Sequence, residues 1–456
     1  MASAVHLARQ GLGEQVVLVE RDLSYGKNSA MLSAGGIRQQ FSLRENIELS
    51  TYSFQFLQEM EAAAAAAQDV REDHGVACSS QTDDCSINFR ANGYLFLAAS
   101  EGGQQTLTRN YQEQRACGVD WIDFTDDSAA LQKTYPWLHT DDITAACYSR
   151  GGGEGYFDPW AYVNNMKREA QALGVTVVEG LVVDATVQHA AAGAAGTGSS
   201  GRYVVDSILV QHAGKGGAAG GAIAGQHLSL KTSHVVNCAG AYAGRLTDMI
   251  ARRVPVAGGQ GVGEGVVRLP VQPRKRFIFS IHCPGTASFA LPAPTSAAPL
   301  TVDPYGGVYF RGEGNVLKEG KGGHFICGVS PQADQDPDCE DDSALDVVDH
   351  SLFDDTIWPT LAERVPAFNE LKVTGAWAGF YDYNTLDQNL VLGFHPQLSN
   401  VLHANGLSGH GLQMGPAVGR AVAEHLQHGR STTLDLSAFS FDRIEANKPY
   451  FEYGIV

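Results

Sequence analysis

The opening stretch, MASAVHLARQGLGEQVVLVERD, constrains the fold more than any other part of the sequence. Ala4, Leu7 and Ala8 fall on one face of a helix, and a glycine then ends that pattern. A short apolar, β-branched run at 16–19 follows, with Glu20 at its end. Helix, tight turn and apolar strand make the second half of a β-α-β unit, so we predict a buried parallel strand here.

The acid at the end of this strand gives the unit a possible binding role. In dinucleotide-binding folds such an acid holds the adenosine ribose, and a G-x-G-x-x-G loop about twenty residues earlier receives the pyrophosphate. Counting back from Glu20 puts the last glycine of that loop immediately before Met1. The strand and its acid alone do not establish a dinucleotide site.

Composition argues against several classes of partner. The 32 basic residues against 50 acidic ones give a net charge of −18, which disfavours nucleic acid or an anionic membrane surface as the main partner. No apolar run is long enough to span a membrane. The eight cysteines are scattered without a C-x-x-C pair, so we predict reduced, buried thiols, and we predict no metal site.

After the opening unit the chain alternates strand-like runs with glycine-rich loops. Residues 24–42 predict an extended loop, and 43–70 predict a helix. Two strands around an Asn-Gly turn are predicted at 87–97. Further strand-like runs stand at 175–190, 202–213 and 226–240, where they suggest a β-meander, and at three places within 274–330.

Two later stretches have the form of a flavin-binding lobe. SHVVNCAGAYAG, at 233–244, is a strand that runs into a glycine turn. NVLHANGLSGHGLQMGPAVGRAVAEHL, at 400–426, is a strand, a glycine loop, Pro416 and then a helix. The amides at the start of that helix suit the pyrimidine edge of a flavin, where negative charge develops on reduction. The segment at 377–393 stands just upstream of this stretch.

Together these stretches resemble the D-amino-acid oxidase/sarcosine oxidase superfamily of FAD enzymes, from Met1 to about residue 443. The motifs that carry the resemblance stand in one order along the chain: LSAGGIRQQFSLRENIELS, EGYFDPW, LPVQPRKRFIF, DYNTLDQN, GLSGHGLQ and DLSAFSFDR. Members of the superfamily have the G-x-G-x-x-G loop immediately upstream of the residues that match Met1–Ala8. The resemblance therefore implies a truncated or misassigned start. The alternative is a true isoform that lacks the first strand.

The resemblance implies an α/β protein (α+β overall) with two lobes. The FAD-binding lobe would be discontinuous, at 1–80, 151–262 and 376–456, with a Rossmann-type parallel sheet and the β-meander. The substrate lobe would be an antiparallel sheet built from 81–150 and 263–375.

The resemblance also carries site residues over by position. Val182 would contact adenine through its backbone, and His410, Arg38 and Tyr381 are the candidate catalytic residues. A packed loop histidine, a surface salt bridge and core packing are their respective alternatives. A structural role is the favoured reading of Tyr309 and Arg311. The cofactor-binding residues would be Glu20, Arg21, Ser29, Ser33, Gly35, Gly36, Val182, Ala239, Gly240, Gly409, His410, Gly411, Leu412 and Gln413.

The chain departs from the superfamily at functional positions. Relatives attach FAD through a cysteine or a histidine, but 376–390 holds no cysteine and 23–42 no histidine, which implies non-covalent FAD. Phe41 and Gln413 stand where an arginine and a lysine clamp a substrate carboxylate. Ile326 stands where a lysine assists reaction with oxygen. These departures put a simple amino-acid substrate in doubt.

The implied chemistry is hydride transfer from an amine C–H to flavin N5. Within the superfamily the motifs resemble mitochondrial flavoproteins of respiratory complex I assembly, which implies a place in the matrix or on the matrix face of the inner membrane. The partners would be a small-molecule amine or an electron acceptor, and complex I subunits or assembly intermediates. The alternative is a flavin-stabilised scaffold for that assembly. An NAD-dependent dehydrogenase is disfavoured, because it would not need the late glycine loop.

Overall fold

The structure is a computed structural model that describes residues 1–73, 86–190, 203–212, 225–255, 265–284, 298–314, 323–331 and 335–454. Its α-helices are α1 (Ala2–Leu7), α2 (Arg44–Asp73), α3 (Glu101–Ala116), α4 (Ser128–Thr134), α5 (Pro159–Ala172), α6 (Ala243–Ala251), α7 (Trp358–Arg364), α8 (Gly411–His428) and α9 (Asp442–Glu445). Its strands are β1 (Val17–Glu20), β2 (Gly36–Ile37), β3 (Tyr94–Ala98), β4 (Ile122–Thr125), β5 (Ala145–Ser149), β6 (Gly155–Tyr156), β7 (Thr176–His189), β8 (Tyr203–His212), β9 (His227–Lys231), β10 (Val235–Asn237), β11 (Val271–His282), β12 (Leu300–Val302), β13 (Tyr309–Gly312), β14 (His324–Gly328), β15 (Lys372–Asn384), β16 (Val391–Phe394) and β17 (Val401–Asn405).

The opening unit has the predicted elements. Helix α1 buries Ala4 and Leu7, and Gly11 adopts a φ of +82° where the helical pattern ends. Strand β1 then pairs in parallel with β7. The strand is less buried than predicted, because among the described residues it pairs only with β7; Val17 remains 44% exposed.

Two small sheets contain the parallel pairs of the nucleotide-binding type. One has the order β1-β7-β8-β9, in which β7, β8 and β9 form the predicted antiparallel meander. The other has the order β10-β17-β16, with β10 and β17 parallel. The single strand predicted at 226–240 is therefore two strands, β9 and β10, which belong to different sheets. Helix α6 packs against both β7 and β10.

The largest sheet has eight strands in the order β15-β11-β14-β13-β12-β3-β5-β4, antiparallel except for the pair β12 and β3. Alternate side chains of a strand point to opposite faces. One face packs into a large core that includes Phe279, Phe310 and Phe325. The neighbouring residues, such as Tyr309 and Arg311, therefore point to the other face. We call this second face the site face.

Three local predictions differ from the structure. In the 87–97 region a single strand, β3, begins at Tyr94, and Arg90 makes only an isolated bridge to Tyr156. Helix α8 begins at Gly411, five residues before Pro416, so the proline lies inside the helix, where it has no N–H to donate to the preceding turn. Strand β15 straddles the lobe boundary expected at 376, and the division into lobes stays a prediction.

The described part of the chain has no disulfide and no membrane-spanning candidate. Six of the eight cysteines are described, and all six are free. None of the helices that the structure describes combines the length and apolarity needed to cross a bilayer. Cys78 and Cys85 lie outside the described residues.

Candidate functional site

The glycine-rich loop at 21–42 lies against the site face of the eight-stranded sheet. Trp377 of β15 donates its indole N–H to the carbonyl of Leu32 at 2.9 Å. Arg311 of β13 donates from Nη2 to the carbonyl of Ala34 at 2.7 Å. The predicted loop is therefore fixed by side chains from two separate strands of the sheet.

Two glycines let the loop approach its neighbours closely. Gly35 has a φ of +70°, and a Cβ added there would lie 2.6 Å from the carbonyl oxygen of Phe157. A Cβ on Gly36 would lie 2.0 Å from the hydroxyl of Tyr94. Any side chain at either position would push the loop away from β3 and from the segment before α5.

Arg38 follows these glycines and contacts His410. Its Nη2 lies 3.1 Å from His410 Nε2. The guanidinium also stacks against Phe41, Phe96 and Tyr94, at 4.8, 5.3 and 5.6 Å from the ring centroids. The structure therefore places Arg38 in the interior, beside His410, and not in a surface salt bridge.

His410 is a neutral imidazole in this arrangement. Desolvation and the charge of Arg38 lower the pKa of His410 to about 3. A guanidinium only donates hydrogen bonds, so Nε2 accepts and the proton of the neutral ring sits on Nδ1. Phe41 packs edge-on against the ring, with centroids 5.1 Å apart.

The amino end of α8 begins directly after His410. No side chain caps its first amides, so the N–H groups of Gly411 and Leu412 point out of the helix end. Gln413 is buried and accepts the backbone N–H of Arg38 at 2.9 Å, and its oxygen also lies 3.3 Å from Ser50 Oγ. Residues 409 to 412 keep accessible surface, so this helix end can be reached by a ligand.

Tyr381 packs against the turn that precedes α8. Gly409 has a φ of +103°, and a Cβ there would lie 2.4 Å from Tyr381 Cζ. On the other side of the ring, the Arg276 guanidinium lies 4.9 Å from the centroid and forms a buried ion pair with Asp336 at 2.7 Å. We call this region the ring end, defined as Arg38, Phe41, Tyr381 and residues 409–413.

The predicted ribose acid lies at a second end of the site. Burial raises the pKa of Glu20, although the chain's amino group and the amides of Arg21 and Asp22 oppose this shift. Glu20 accepts the Arg21 amide at 3.0 Å. Ala239, after β10, is exposed, and Gly240 has a φ of +55°. The residues predicted at the ends of β1 and β10 thus keep accessible surface.

The other predicted residues lie along the loop and the meander. Ser33 donates to the Ala30 carbonyl at 2.8 Å and accepts the Gly35 amide at 3.2 Å, so it shapes the loop. Ser29 is exposed. Val182 is partly buried and stands immediately before a bulge in the pairing of β7 with β8.

We call the region of Glu20, Arg21, Ala239 and Gly240 the ribose end. An acidic segment, residues 339–346, crosses this end, and we call it the strap. Asp342 pairs with Arg21 at 2.9 Å, and Asp346 pairs with Lys27 at 2.7 Å. Arg245 of α6 donates to the carbonyls of Cys339 and Glu340. The strap therefore bridges residues after β1 and residues after β10, the two strand ends between which a dinucleotide would lie. Its charge pairs are not evident from the sequence pattern.

Two carboxylates at the site, half-buried Asp382 and fully buried Glu154, were missed by sequence reasoning. Asp382 accepts the amides of Gly406 and Leu407 at 2.9 and 3.1 Å, and desolvation raises its pKa to about 6. Glu154 accepts hydrogen bonds from the two residues that follow Arg38. Both acids stand within motifs that carried the resemblance, DYNTLDQN and EGYFDPW, and this was the available signal.

The carboxyl-terminal segment closes the outer side of the ring end. Glu452 accepts the backbone N–H of Ser42 at 2.8 Å and that of Leu43 at 3.3 Å, just before α2 begins. It also accepts from Asn46 Nδ2 at 2.7 Å, and Tyr453 donates its amide to Ser42 Oγ at 2.8 Å. This segment therefore fixes the residues that follow Phe41.

The residues at the positions that depart from the superfamily are packed or hydrogen-bonded within the protein. Phe41 is fully buried, and Gln413 is held by Arg38 and Ser50. Ile326 is 3% exposed and stands opposite Arg311 on the site face. Tyr309 lies on the same face, where a Cβ on Gly328 would be 2.6 Å from its hydroxyl. Phe41 and Gln413 therefore place no cation at either clamp position.

The residues present fit FAD at both ends of the cleft. Glu20 provides a carboxylate for the ribose, and accessible backbone follows β10. The uncapped amides of α8 provide donors for the pyrimidine edge of the flavin. The positive φ of Gly409 provides the close backbone approach that a planar ring requires.

Comparison with known proteins agrees with this reading. The profile of the DAO family, described as FAD dependent oxidoreductase, matches residues 1–425. FAD-dependent oxidoreductase domain-containing protein 1 of Xenopus laevis is 39% identical over 448 residues, covering 97% of this chain and 79% of that protein. The Bos taurus protein of the same name is 36% identical over 475 residues, covering 99% and 83%.

Solved structures show the same fold. L-proline dehydrogenase from P. horikoshii has a TM-score of 0.69 at 20% identity, covering 98% of this chain and 96% of that one. Glycine oxidase from Geobacillus kaustophilus has a TM-score of 0.62 at 19% identity, covering 96% and 94%. The predicted fold class is therefore confirmed, and the chain belongs to the DAO family of FAD-dependent oxidoreductases.

Proposed function

We propose that this chain binds FAD without a covalent bond and oxidises the C–N bond of an amine. The observation that carries the proposal is the contact of Arg38 with neutral His410 at the uncapped amino end of α8. When bound, FAD supplies the hydride acceptor for the amine carbon. Solved structures of the same fold support the choice of an amine, because proline, glycine and iminodiacetate are the amines in their names.

The chain's own residues would provide the electrostatic part of catalysis. The guanidinium of Arg38 and the helix dipole of α8 place positive potential at the ring end, where negative charge develops. His410 Nε2 is occupied by Arg38 and the ring also bonds to the backbone of Leu407, so the imidazole is fixed in place beside the guanidinium. Tyr94 and Phe96 cover the guanidinium and keep water from it.

Substrate recognition would differ from that of amino-acid oxidases. Phe41 and Gln413 are committed to packing and to the Arg38 backbone, so neither can bind a carboxylate as an ion pair. An amine without an α-carboxylate is therefore the favoured substrate class. The acceptor for the electrons would be a second molecule.

The test is an anaerobic titration of the purified flavoprotein with amines that carry or lack an α-carboxylate. Loss of the visible flavin absorbance with an amine, and not with the matching alcohol, is expected. Arg38→Met should slow this reduction by roughly a hundredfold, because one charge that stabilises the transition state is removed. Arg430→Met, an exposed residue after the end of α8, is the control. A flavin that dithionite reduces but no amine reduces would overturn the proposal.

Non-covalent binding is tested separately by acid precipitation. The yellow cofactor should appear in the supernatant, since neither attachment segment provides its nucleophile. Flavin that stays with the precipitated protein would contradict this part of the proposal.

A second candidate is a flavin-stabilised assembly protein for respiratory complex I in mitochondria. The lack of a cation at Phe41 and Gln413 favours it, because a scaffold has no need to hold a substrate. The two candidates separate in cells that lack the protein. If Arg38→Met, which should slow turnover by roughly a hundredfold, still restores complex I fully, the assembly role is supported; if only the parent restores it, turnover is required.

A further inference from the structure

We propose that Glu154 is a positioning residue that holds the segment after Arg38 and lowers the positive potential at the ring end. The proposal rests on the flavin site described above, and it names a determinant of that site's electrostatics. Glu154 precedes β6 and is 116 residues from Arg38 along the chain, a distance over which no local pattern links the two.

The contacts of Glu154 are directed at one segment. Oε1 accepts the backbone N–H of Gln39 at 2.7 Å and that of Gln40 at 3.1 Å. Oε2 accepts from Gln40 Nε2 at 2.7 Å and from Ser149 Oγ. Three of these four bonds come from the two residues that follow Arg38.

The rest of the Arg38 backbone is held from other elements. Its N–H donates to Gln413 Oε1, and its carbonyl accepts from Ser50 Oγ. With Glu154 holding the next two amides, the chain cannot pivot at Arg38 without breaking buried hydrogen bonds. These backbone hydrogen bonds keep the guanidinium within hydrogen-bonding distance of His410.

Glu154 also acts through its charge. Its side chain is fully buried, which raises its pKa, while four donors and the nearby Arg38 charge oppose that shift. A carboxylate with several donors keeps its negative charge even when it is buried. This charge offsets part of the Arg38 charge, so it reduces the positive potential offered to an anion at the flavin.

The two functions can be separated by two substitutions. Glu154→Gln keeps the length and an oxygen for both backbone amides, and its amide nitrogen can donate to Ser149 Oγ. The same nitrogen meets Gln40 Nε2, so the Gln40 amide must flip to present Oε1, a buried acceptor without a described partner. The substitution therefore removes the charge and keeps the hydrogen bonds to the backbone amides of Gln39 and Gln40. Glu154→Asp keeps the charge, but it is one methylene shorter and cannot reach both backbone amides.

Sulfite is the probe, because it binds oxidised flavins as an anion and needs no amine substrate. In the FAD-loaded protein, Glu154→Gln should tighten sulfite binding by about tenfold, because the Arg38 charge is less offset. Glu154→Asp should weaken it by about tenfold, because the guanidinium loses its fixed position. Glu169→Gln, which removes an acid paired with Arg9 on the outer surface, should leave the affinity unchanged.

Opposite shifts in the two variants support the proposal, whether or not amines reduce the flavin. A purely structural role predicts weaker binding or no change in both, and either result would overturn it. Flavin content and circular dichroism show whether each variant is folded. Glu154→Gln alone can support the proposal, because only a charge effect predicts tighter binding; Glu154→Asp alone overturns it if sulfite binding is not weakened. Failure of amine oxidation with the sulfite shifts intact would refute only the proposed substrate class.

Discussion

The two ends of the cofactor cleft are held by different physical means. At the ring end, Arg38, Gln413 and Asp382 are joined by short hydrogen bonds to backbone and to buried side chains. At the ribose end, Arg21 pairs with Asp342 through side chains that are 39% and 36% exposed. Buried hydrogen bonds fix a geometry, whereas exposed ion pairs are weak and are screened by salt. The ring end should therefore respond to shape and protonation, and the ribose end to ionic strength.

The largest effect is expected from Gly409→Ala. The new Cβ would meet the Tyr381 ring at 2.4 Å, and alanine is strained at a φ of +103°. Strain and overpacking together should cost roughly 3 kcal/mol in unfolding free energy and abolish FAD binding. Gly375→Ala on β15 is the control, because its Cβ would lie 3.9 Å from Ser280 Cβ, an ordinary contact. Chemical denaturation and flavin content measure both variants. Equal losses in the two would show that the Tyr381 contact is unimportant.

Asp382 should make stability depend on pH. Its folded-state pKa of about 6 is above the ordinary value for aspartate, so the folded protein binds the proton more tightly and unfolding free energy falls as pH rises from about 4 to about 6. Asp382→Asn removes this dependence. As the pH rises from about 4 to about 7, the unfolding free energy of the variant should rise by roughly 2 kcal/mol relative to that of the parent.

The control for Asp382 is Asp435→Asn. Bonds from Ser437 lower the pKa of Asp435, so its contribution has the opposite sign and is lost as pH falls. Denaturation curves at several pH values measure both. Parallel curves for Asp382→Asn and the parent would contradict the assignment.

Ile326→Lys should change the reactivity of the ring end by about tenfold. Ile326 is on the site face, and a cation there would stabilise the negative charge that forms as oxygen accepts an electron. The parent's reduced flavin should therefore reoxidise slowly, and the lysine variant faster. The measurement is photoreduction without oxygen, followed by mixing with aerated buffer. Ile326→Met should behave like the parent, and equally fast reoxidation of all three would refute the expectation.

The smallest effect is expected at the strap. Replacing Asp342 and Asp346 with asparagine should speed FAD release by about twofold to fivefold at low salt. The parent should approach the variant as ionic strength rises, because salt screens the same ion pairs. Flavin fluorescence on release measures the rate, and Asp354→Asn, an exposed acid beside α7, is the control. A rate of FAD release that does not depend on salt would contradict the proposed difference between the ribose end and the ring end.

Much of the fold could be predicted from the sequence, because helix and strand periods are local. The helix, turn and strand that end at Glu20 each need only neighbouring residues to be recognised. The boundary between β9 and β10 was missed. The two strands follow each other closely in the sequence, and only their places in different sheets distinguish them.

The contacts of the candidate site were less accessible to sequence reasoning. The glycines at 35, 36 and 409 were predicted by position. The structure explains why glycine is needed there: the backbone lies close to Phe157, Tyr94 and Tyr381, respectively. Arg38 and His410 stand 372 residues apart, and no spacing rule connects them. Glu154 was missed because a buried acid has no period of its own and is recognised only by the amides that surround it.

The carboxyl-terminal contacts have a consequence for biosynthesis. Glu452 and Tyr453 bond to Ser42 and Leu43, so the segment after Phe41 is fixed by residues that are translated long after it. On the ribosome, the helix that begins at Arg44 must wait for its capping carboxylate until about four hundred further residues have been made, a delay of roughly twenty seconds or more at typical rates of synthesis. The contacts that fix the segment after Phe41 are therefore completed only once residue 453 has been translated.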